Sequence, residues 1–178
     1  AVGDGVMGGQ QVGDAPAFVS APVHASISGR VSAVEPRIHF SGVPVMSVVI
    51  ENDFNETLYW GLSPASDPDS LTPEQLSALI REAGIVGMGG ATFPTHVKIS
   101  SGLGKVDTVI VNASECEPCI TSDHRVLLEH PDEVLGGVKL LARIFGVDRV
   151  HIAIEQNKAN AAGMLKLKIE EEKAPAVV

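Results

Sequence analysis

The sequence predicts an α/β domain that follows a small all-β module. Three observations carry this. First, residues 1 to about 50 hold short apolar runs, Val31–Val34 and Val43–Ile50, cut by Gly, Pro, Ser and Asp. That is the pattern of strands joined by tight turns. Second, from residue 71 onward helical apolar spacing alternates with two β-branched runs, Val106–Val111 and Arg149–Ile154. Strand, helix, strand, helix is the order of a parallel sheet with helical crossovers. Third, the stretch GIVGMGGATFPTHVK (Gly84–Lys98) holds Gly84, Gly87, Gly89 and Gly90. Glycines let backbone N–H groups approach a ligand with no Cβ in the way, and a run of such groups makes a concavity for anions.

Composition sets the outer bounds. The 178 residues give room for one medium domain or two small ones. Apolar residues make up 44% and charged ones 20%, which places the chain among folded globular proteins. Aromatics are only 4%, so the core must rest on Val, Ile, Leu and Ala. A net charge of −9 argues against nucleic acid or an anionic membrane as partner. No apolar run approaches the roughly 20 residues that span a bilayer, so direct membrane insertion is not expected, and no signal-peptide pattern is visible. Two cysteines do not make a secreted disulfide scaffold, and a reducing compartment is the default. The chain opens on AVGDGV without Met and closes on EEEKAPAVV; both ends suggest a piece of something longer.

Three regions follow in order. Residues 1–51 are the β module. Its His24 and His39 have no second metal ligand at useful spacing and are expected as satisfied turn histidines. Residues 52–70, NDFNETLYWGLSPASDPDS, read as a linker, with Tyr59 and Trp60 expected to seal the junction between modules. Residues 71–178 are the α/β domain. Its first helix has Thr72 as N-cap, Pro73 in the first turn and Gln75 completing a capping box. Leu76, Leu79, Ile80 and Ala83 share one face, and Gly84 stops the helix. Phe93 and Val97 are expected to anchor the glycine loop to a core. Val106–Val111 reads as a strand covered on both faces. Asn112–Asp123 is then a loop. His124–Phe145 is helical, with Pro131 restarting the helix and Gly146 ending it. Arg149–Ile154 is the second strand and Asn157–Glu172 the last helix.

The chemistry gathers past the strand ends. Asn112 and Ser114–Glu117 follow the first strand; Glu155 and Gln156 follow the second. A parallel sheet brings such ends to one crevice. The glycine loop would add N–H groups there and Lys98 a positive charge. Glu115 and Glu117 would repel each other and any phosphate, so they suit ring N–H or ribose O–H donors instead. That pattern fits a flavin or dinucleotide. It is not the Rossmann fingerprint, since no strand leads into the glycines and no G-x-G-x-x-G occurs. A solvated acidic loop is the competing reading, and composition alone favours it slightly. No side chain is needed as acid, base or metal ligand. Cys116 and Cys119 form a C-x-x-C across Pro118 in a loop, not at a helix start, and are expected as two reduced thiols.

Two phrases, VGDGVMGGQQVG (Val2–Gly13) and SAPVHASISGRVSAVE (Ser20–Glu35), resemble the biotinyl/lipoyl carrier fold, a barrel-sandwich hybrid. Residues 11–20 contain no lysine, so a structural module is expected and not a covalent carrier. GIVGMGGATFPTHVK, followed by VNASECEPCITSDHRVLLEHP, resembles the flavin-binding subunit of complex I-type NADH dehydrogenases. The chain is still more similar to the RnfC family, which belongs to the Rnf electron transport complex, the ion-translocating ferredoxin:NAD⁺ oxidoreductase. The likeness extends over nearly the whole chain.

The resemblance implies a complex I 51 kDa-like FMN-binding α/β domain, incomplete at its C-terminal end, and an electron-transfer role between NAD(H) and iron–sulfur clusters. It implies Gly87, Gly89 and Gly90 against the flavin and Lys98 near its phosphate. Asn112, Ser114 and Glu115 would hydrogen-bond flavin, Glu117 would face the nicotinamide nucleotide, and Glu155 would lie at the same site. Met88, Thr92 and Ser114 stand where the complex I branch has arginine, glycine and aspartate, and they fit the Rnf-like branch. The 4Fe-4S ligands of the C-x₂-C-x₂-C-x₃-C type would lie beyond Val178. The site would also use a segment beyond the last helix, so the 178-residue piece is expected to be isolated mostly without flavin. Implied partners are the other Rnf subunits, membrane-embedded and ferredoxin-like, with peripheral placement on the cytoplasmic membrane face. The alternatives are a non-catalytic docking module and an RnfC-like donor to a soluble reductase such as that of proline reduction.

Overall fold

A computed structural model describes residues 1–62, 67–88 and 91–178. Two compact units emerge: Ala1–Ser70 with Leu79–Gly87 and Phe93–Thr95, and Leu71–Ala78 with Met88–Thr92 and His96–Val178.

The first unit is built from antiparallel strands. β1 (Gly5–Val6), β4 (Gly29–Ile38) and β5 (Pro44–Asn52) form one sheet, and β2 (Gln11–Gly13) pairs with β3 (Val23–His24) in another. The short apolar runs of the sequence thus extend into longer strands than expected. Val6, Ala25 and Val31 form the core, with Val12, Val48 and Ile50 packed on it. The segment expected as a linker returns to this module. Gly8 N–H donates to the Thr57 carbonyl and Tyr59 N–H to the Gly8 carbonyl, both at 2.9 Å. The buried Ser28 hydroxyl donates to Asp53 at 2.7 Å and accepts the Thr57 N–H at 3.0 Å. Trp60 is 78% exposed, its ring beside that of Tyr59.

The helix α1 (Pro73–Glu82) starts with the reciprocal box expected from the sequence. Thr72 N–H donates to Gln75 Oε1 at 2.9 Å, and Gln75 N–H donates to Thr72 Oγ1 at 3.3 Å. It ends at Gly84, whose φ is +69°. There Gly84 N–H reaches the Arg81 carbonyl at 2.8 Å and Ile85 N–H reaches that of Ile80 at 3.2 Å, the paired bonds of a Schellman cap. The buried face is Leu76, Ser77 and Ile80, while Leu79 is 47% exposed and Ala83 is exposed. Leu76 and Ile80 of the expected face are buried, but the helix turns Ser77 inward in place of Leu79 and Ala83.

In the second unit β6 (Val109–Asn112), β7 (Val150–Ala153) and β8 (Ala176–Val177) form one parallel sheet. The β6–β7 pairing confirms the two expected strands as parallel neighbours. α3 (Ser122–Glu129), α4 (Pro131–Phe145) and α5 (Ala159–Glu172) supply the cover. Leu127, Leu135, Val138, Ala142, Leu165 and Ile169 pack with Val150 and Ile152 in one core. Pro131 occupies the first turn of α4, and Gly146 caps its end with φ +63°, both in agreement with the sequence. Ile110 is 67% exposed, so the sheet is covered on one face and not on both. Among the described residues, α2 (Thr95–Gly102), which buries His96 and Ile99, and the two-residue β8 (Ala176–Val177) were not foreseen from the sequence. Val97 is half-buried in α2, and Phe93 is 39% exposed. Among the described residues no helix is long and apolar enough to cross a membrane.

Candidate functional site

Parallel pairing places the ends of β6 and β7 side by side, with Asn112 opposite Ala153. Ala113 N–H extends the ladder one step further, donating to the Ala153 carbonyl at 2.9 Å. Asn112, Ser114, Glu115 and Glu117 leave this edge from one strand, and Glu155 leaves it from the other. Asn112 Oδ1 accepts the Ser114 N–H at 3.2 Å, an Asx turn that bends the chain as soon as the strand ends.

Glu115 is the most engaged side chain of the loop. Its Oε1 accepts the Ser122 hydroxyl at 3.1 Å and the Asp123 N–H at 3.0 Å; its Oε2 accepts the His124 N–H at 3.2 Å. Thr121, at the N-cap of α3, makes no side-chain cap bond. Glu115 thus satisfies helix N–H groups that would otherwise lack partners, and its charge complements the helix dipole. The Asp123 N–H, followed by the His124 N–H, the Ser122 hydroxyl and the Lys158 charge, holds its carboxyl below the usual range against partial burial. A flavin contact by Glu115 would share oxygens already used in this clamp.

A depressed carboxyl stabilises the fold above its unfolded value of about 4.3 and stops doing so as pH falls through the lower folded value. The melting temperature of the chain should therefore exceed that of Glu115→Gln at pH 7, and the gap should narrow as pH falls below about 4.3. Parallel melts followed by circular dichroism check this; a gap that stays constant or widens as pH falls would contradict the clamp.

Glu117 is exposed and opens a tight turn, in which its carbonyl accepts the Ile120 N–H at 3.4 Å. Cys119 sits in that turn with φ +68°, and both Cys116 and Cys119 are exposed free thiols. Beside the end of β7 a groove of about 500 Å³ is lined by Glu155, Gln156, Ala159, Gly163 and Lys166, among others. A Cβ added at Gly163 would meet nothing within 4 Å, so this part of the lining faces open space.

The glycine loop is closed at its neck. Val86 bridges Pro94, and Gly87 N–H donates to the Phe93 carbonyl at 2.9 Å. That N–H is already spent within the loop. Gly89 and Gly90 lie outside the described residues. Lys98 sits on α2, where its carbonyl accepts the Ser101 hydroxyl at 2.7 Å. Among the described residues no group of three or more His, Cys, Asp or Glu side chains could hold a metal ion.

Nothing in the sequence singles out Lys158 and Lys166. Lys158 is near enough to lower Glu115, and Lys166 lines the groove; neither belongs to a motif, and only the fold brings them to the sheet edge. The donor set suits FMN: carboxylates and amides for ring N–H and ribityl hydroxyls, and lysines for a phosphate.

The family model of the Nuo51 FMN-binding domain matches residues 80–178, more than half of the chain. The chain belongs to that family. The RnfC barrel sandwich hybrid domain matches residues 1–55, so the β module and the α/β domain each have their own counterpart. Three curated relatives extend across both, each the C subunit of its complex. That of the Na⁺-translocating ferredoxin:NAD⁺ oxidoreductase complex of Acetobacterium woodii is 46% identical over 89% of this chain and 36% of its own length. That of the proton-translocating ferredoxin:NAD⁺ oxidoreductase complex of Clostridium ljungdahlii is 39% identical over 98% of this chain and 38% of its own length. That of the ion-translocating oxidoreductase complex of Vibrio cholerae is 41% identical over 93% of this chain and 22% of its own length. The resemblance drawn from the glycine loop and the carrier phrases is borne out, as is the fold class of a barrel-sandwich hybrid followed by an FMN-binding-type α/β domain. The chain spans well under half the length of these relatives.

Proposed function

We propose that this chain is the part of an RnfC-type subunit that binds FMN and NAD(H) in an oxidoreductase complex passing electrons between nicotinamide and iron–sulfur clusters. One observation carries it. The span matched by the FMN-binding family contains the parallel β6–β7 edge, and that edge bears Asn112, Ser114, Glu115, Glu117 and Glu155. A bound flavin supplies the exchange between two-electron hydride and one-electron chemistry. The protein's part is orientation and electrostatics. Asn112 and Ser114 would offer hydrogen bonds to a flavin, and Glu115, which holds the loop against α3, would add another. Glu117 and Glu155 accept from nucleotide hydroxyls. Their charges disfavour phosphate at this edge; Lys98 is the proposed phosphate partner, and the backbone of Gly89 and Gly90 lines the flavin. The remaining Rnf subunits, membrane-embedded and ferredoxin-like, are the proposed partners, at the cytoplasmic face of the membrane. The iron–sulfur clusters belong to a longer chain of the relatives' length.

The second reading, a docking module without nucleotide, rests on the carrier-like barrel that lacks an acceptor lysine between its two phrases. Flavin stoichiometry separates the two. FMN is titrated against the 178-residue chain and against a chain of the relatives' length, with fluorescence quenching as the readout. The longer chain should bind one FMN, and Gly89→Val and Gly90→Val should abolish that binding with an unchanged circular dichroism spectrum, because a Cβ blocks backbone approach. Absence of binding by the longer chain overturns the flavin reading and leaves the docking module. Full flavin content in both valine variants reduces the loop to a connector.

A further inference from the structure

Cys116 and Cys119 take no part in the flavin reading, yet they are placed for chemistry of their own. Both are exposed and free, on a loop fixed at each end. On one side Ala113 is tied to Ala153, and Glu115 is tied to the start of α3; on the other Ser122 begins that helix. Only residues 116–121 run between the two anchors. Three residue steps separate Cα atoms by about 10 Å at full stretch, and a disulfide needs about 4.4–6.8 Å. Pro118 and Cys119 are the central residues of the turn closed by Ile120 N–H on the Glu117 carbonyl, with Cys119 at φ +68°, and this bend shortens the path from Cys116 to Cys119 below full stretch. Pro118 stiffens the same turn, so less entropy is lost on bridging it.

We propose that Cys116 and Cys119 form a reversible dithiol–disulfide couple, oxidised by small-molecule disulfides of the glutathione type. The thiolate of one cysteine attacks a sulfur of the small disulfide and expels one small thiolate. The second cysteine's thiolate then attacks the protein sulfur of the mixed disulfide and expels the other. The protein loses two electrons and two protons; the small disulfide takes them up as two thiols. The bridge encloses Glu117 and fixes its backbone. This consequence rests on the reading of Glu117 as a nucleotide contact, while the couple itself does not.

The chain is equilibrated in glutathione buffers of rising oxidised-to-reduced ratio, quenched in acid, alkylated and weighed. Both alkylation sites should disappear together in one transition, leaving an unalkylated chain about 2 Da lighter than the unalkylated dithiol form, with no increase in oligomer. Cys119→Ser should instead carry one glutathione on Cys116 over the same range of ratios. Two alkylated thiols throughout, separate glutathione adducts on each cysteine, or bridges between chains would each overturn the proposal. The readout needs no flavin, so its failure and that of the flavin reading are distinguishable.

Discussion

Gly29→Ala is expected to disrupt the β module. A Cβ at this position would lie 1.9 Å from the Glu51 carbonyl oxygen, 2.9 Å from its carbon and 3.2 Å from Asn52 Cα. All three are backbone atoms of the paired strand, where Gly29 lies opposite Asn52 and Arg30 opposite Glu51. No rotamer change can relieve the clash. Overpacking costs about 1–3 kcal/mol and backbone strain a similar amount, so a loss of about 3 kcal/mol or more is expected. The same glycine lies at the junction of β4 with β1, so separating β4 from β5 also loosens the third strand. Denaturant unfolding followed by far-ultraviolet circular dichroism measures the loss. Gly5→Ala, where nothing lies within 4 Å of the added Cβ, serves as the comparison and should lie near the parent. Equal midpoints for the two variants would mean that β4 and β5 do not approach as described.

Leu165→Ala should destabilise the α/β domain by about 2–5 kcal/mol, the usual range for emptying a core leucine site. Leu165 is fully buried on α5, in the core that contains Leu135 and Val150. Leu167, two residues on and 63% exposed, should tolerate alanine at nearly no cost. Midpoints of the two variants in urea decide the matter; comparable losses would place α5 on a different face. Since α5 backs the sheet whose edge bears Glu155, any flavin binding by Leu165→Ala should fall in step with the fraction unfolded.

The contrast between Leu165 and Leu167 shows how far the sequence reaches. In ANAAGMLKLKIEEE both leucines are equally apolar, and only the docking of α5 decides which one enters the core. Signals that act within a few residues were legible. Thr72 and Gln75 announce a capping box because both partners lie within one turn. Pro131 breaks α3 from α4 because it lacks an N–H. Gly84 and Gly146 end helices because they accept positive φ. The parallel pairing of β6 with β7 also followed, since a strand, a helical crossover and a strand have few other arrangements.

What the sequence by itself determined is the order of the two expected parallel strands and the long helices, the capping box of α1, the Pro131 break and the glycine ends, and the family to which the glycine loop and the ECEP phrase belong. The tertiary structure alone decided the rest. It revealed α2, whose THVKISSG stretch carries no clear apolar stripe, and β8, which is too short to show a period. It left Ile110 exposed on a sheet face expected to be covered. It turned Glu115 from a free loop carboxylate into the clamp on α3, seven to nine residues away along the chain. Each of these depends on partners brought close by folding, and no local propensity encodes which carboxylate will meet which helix end.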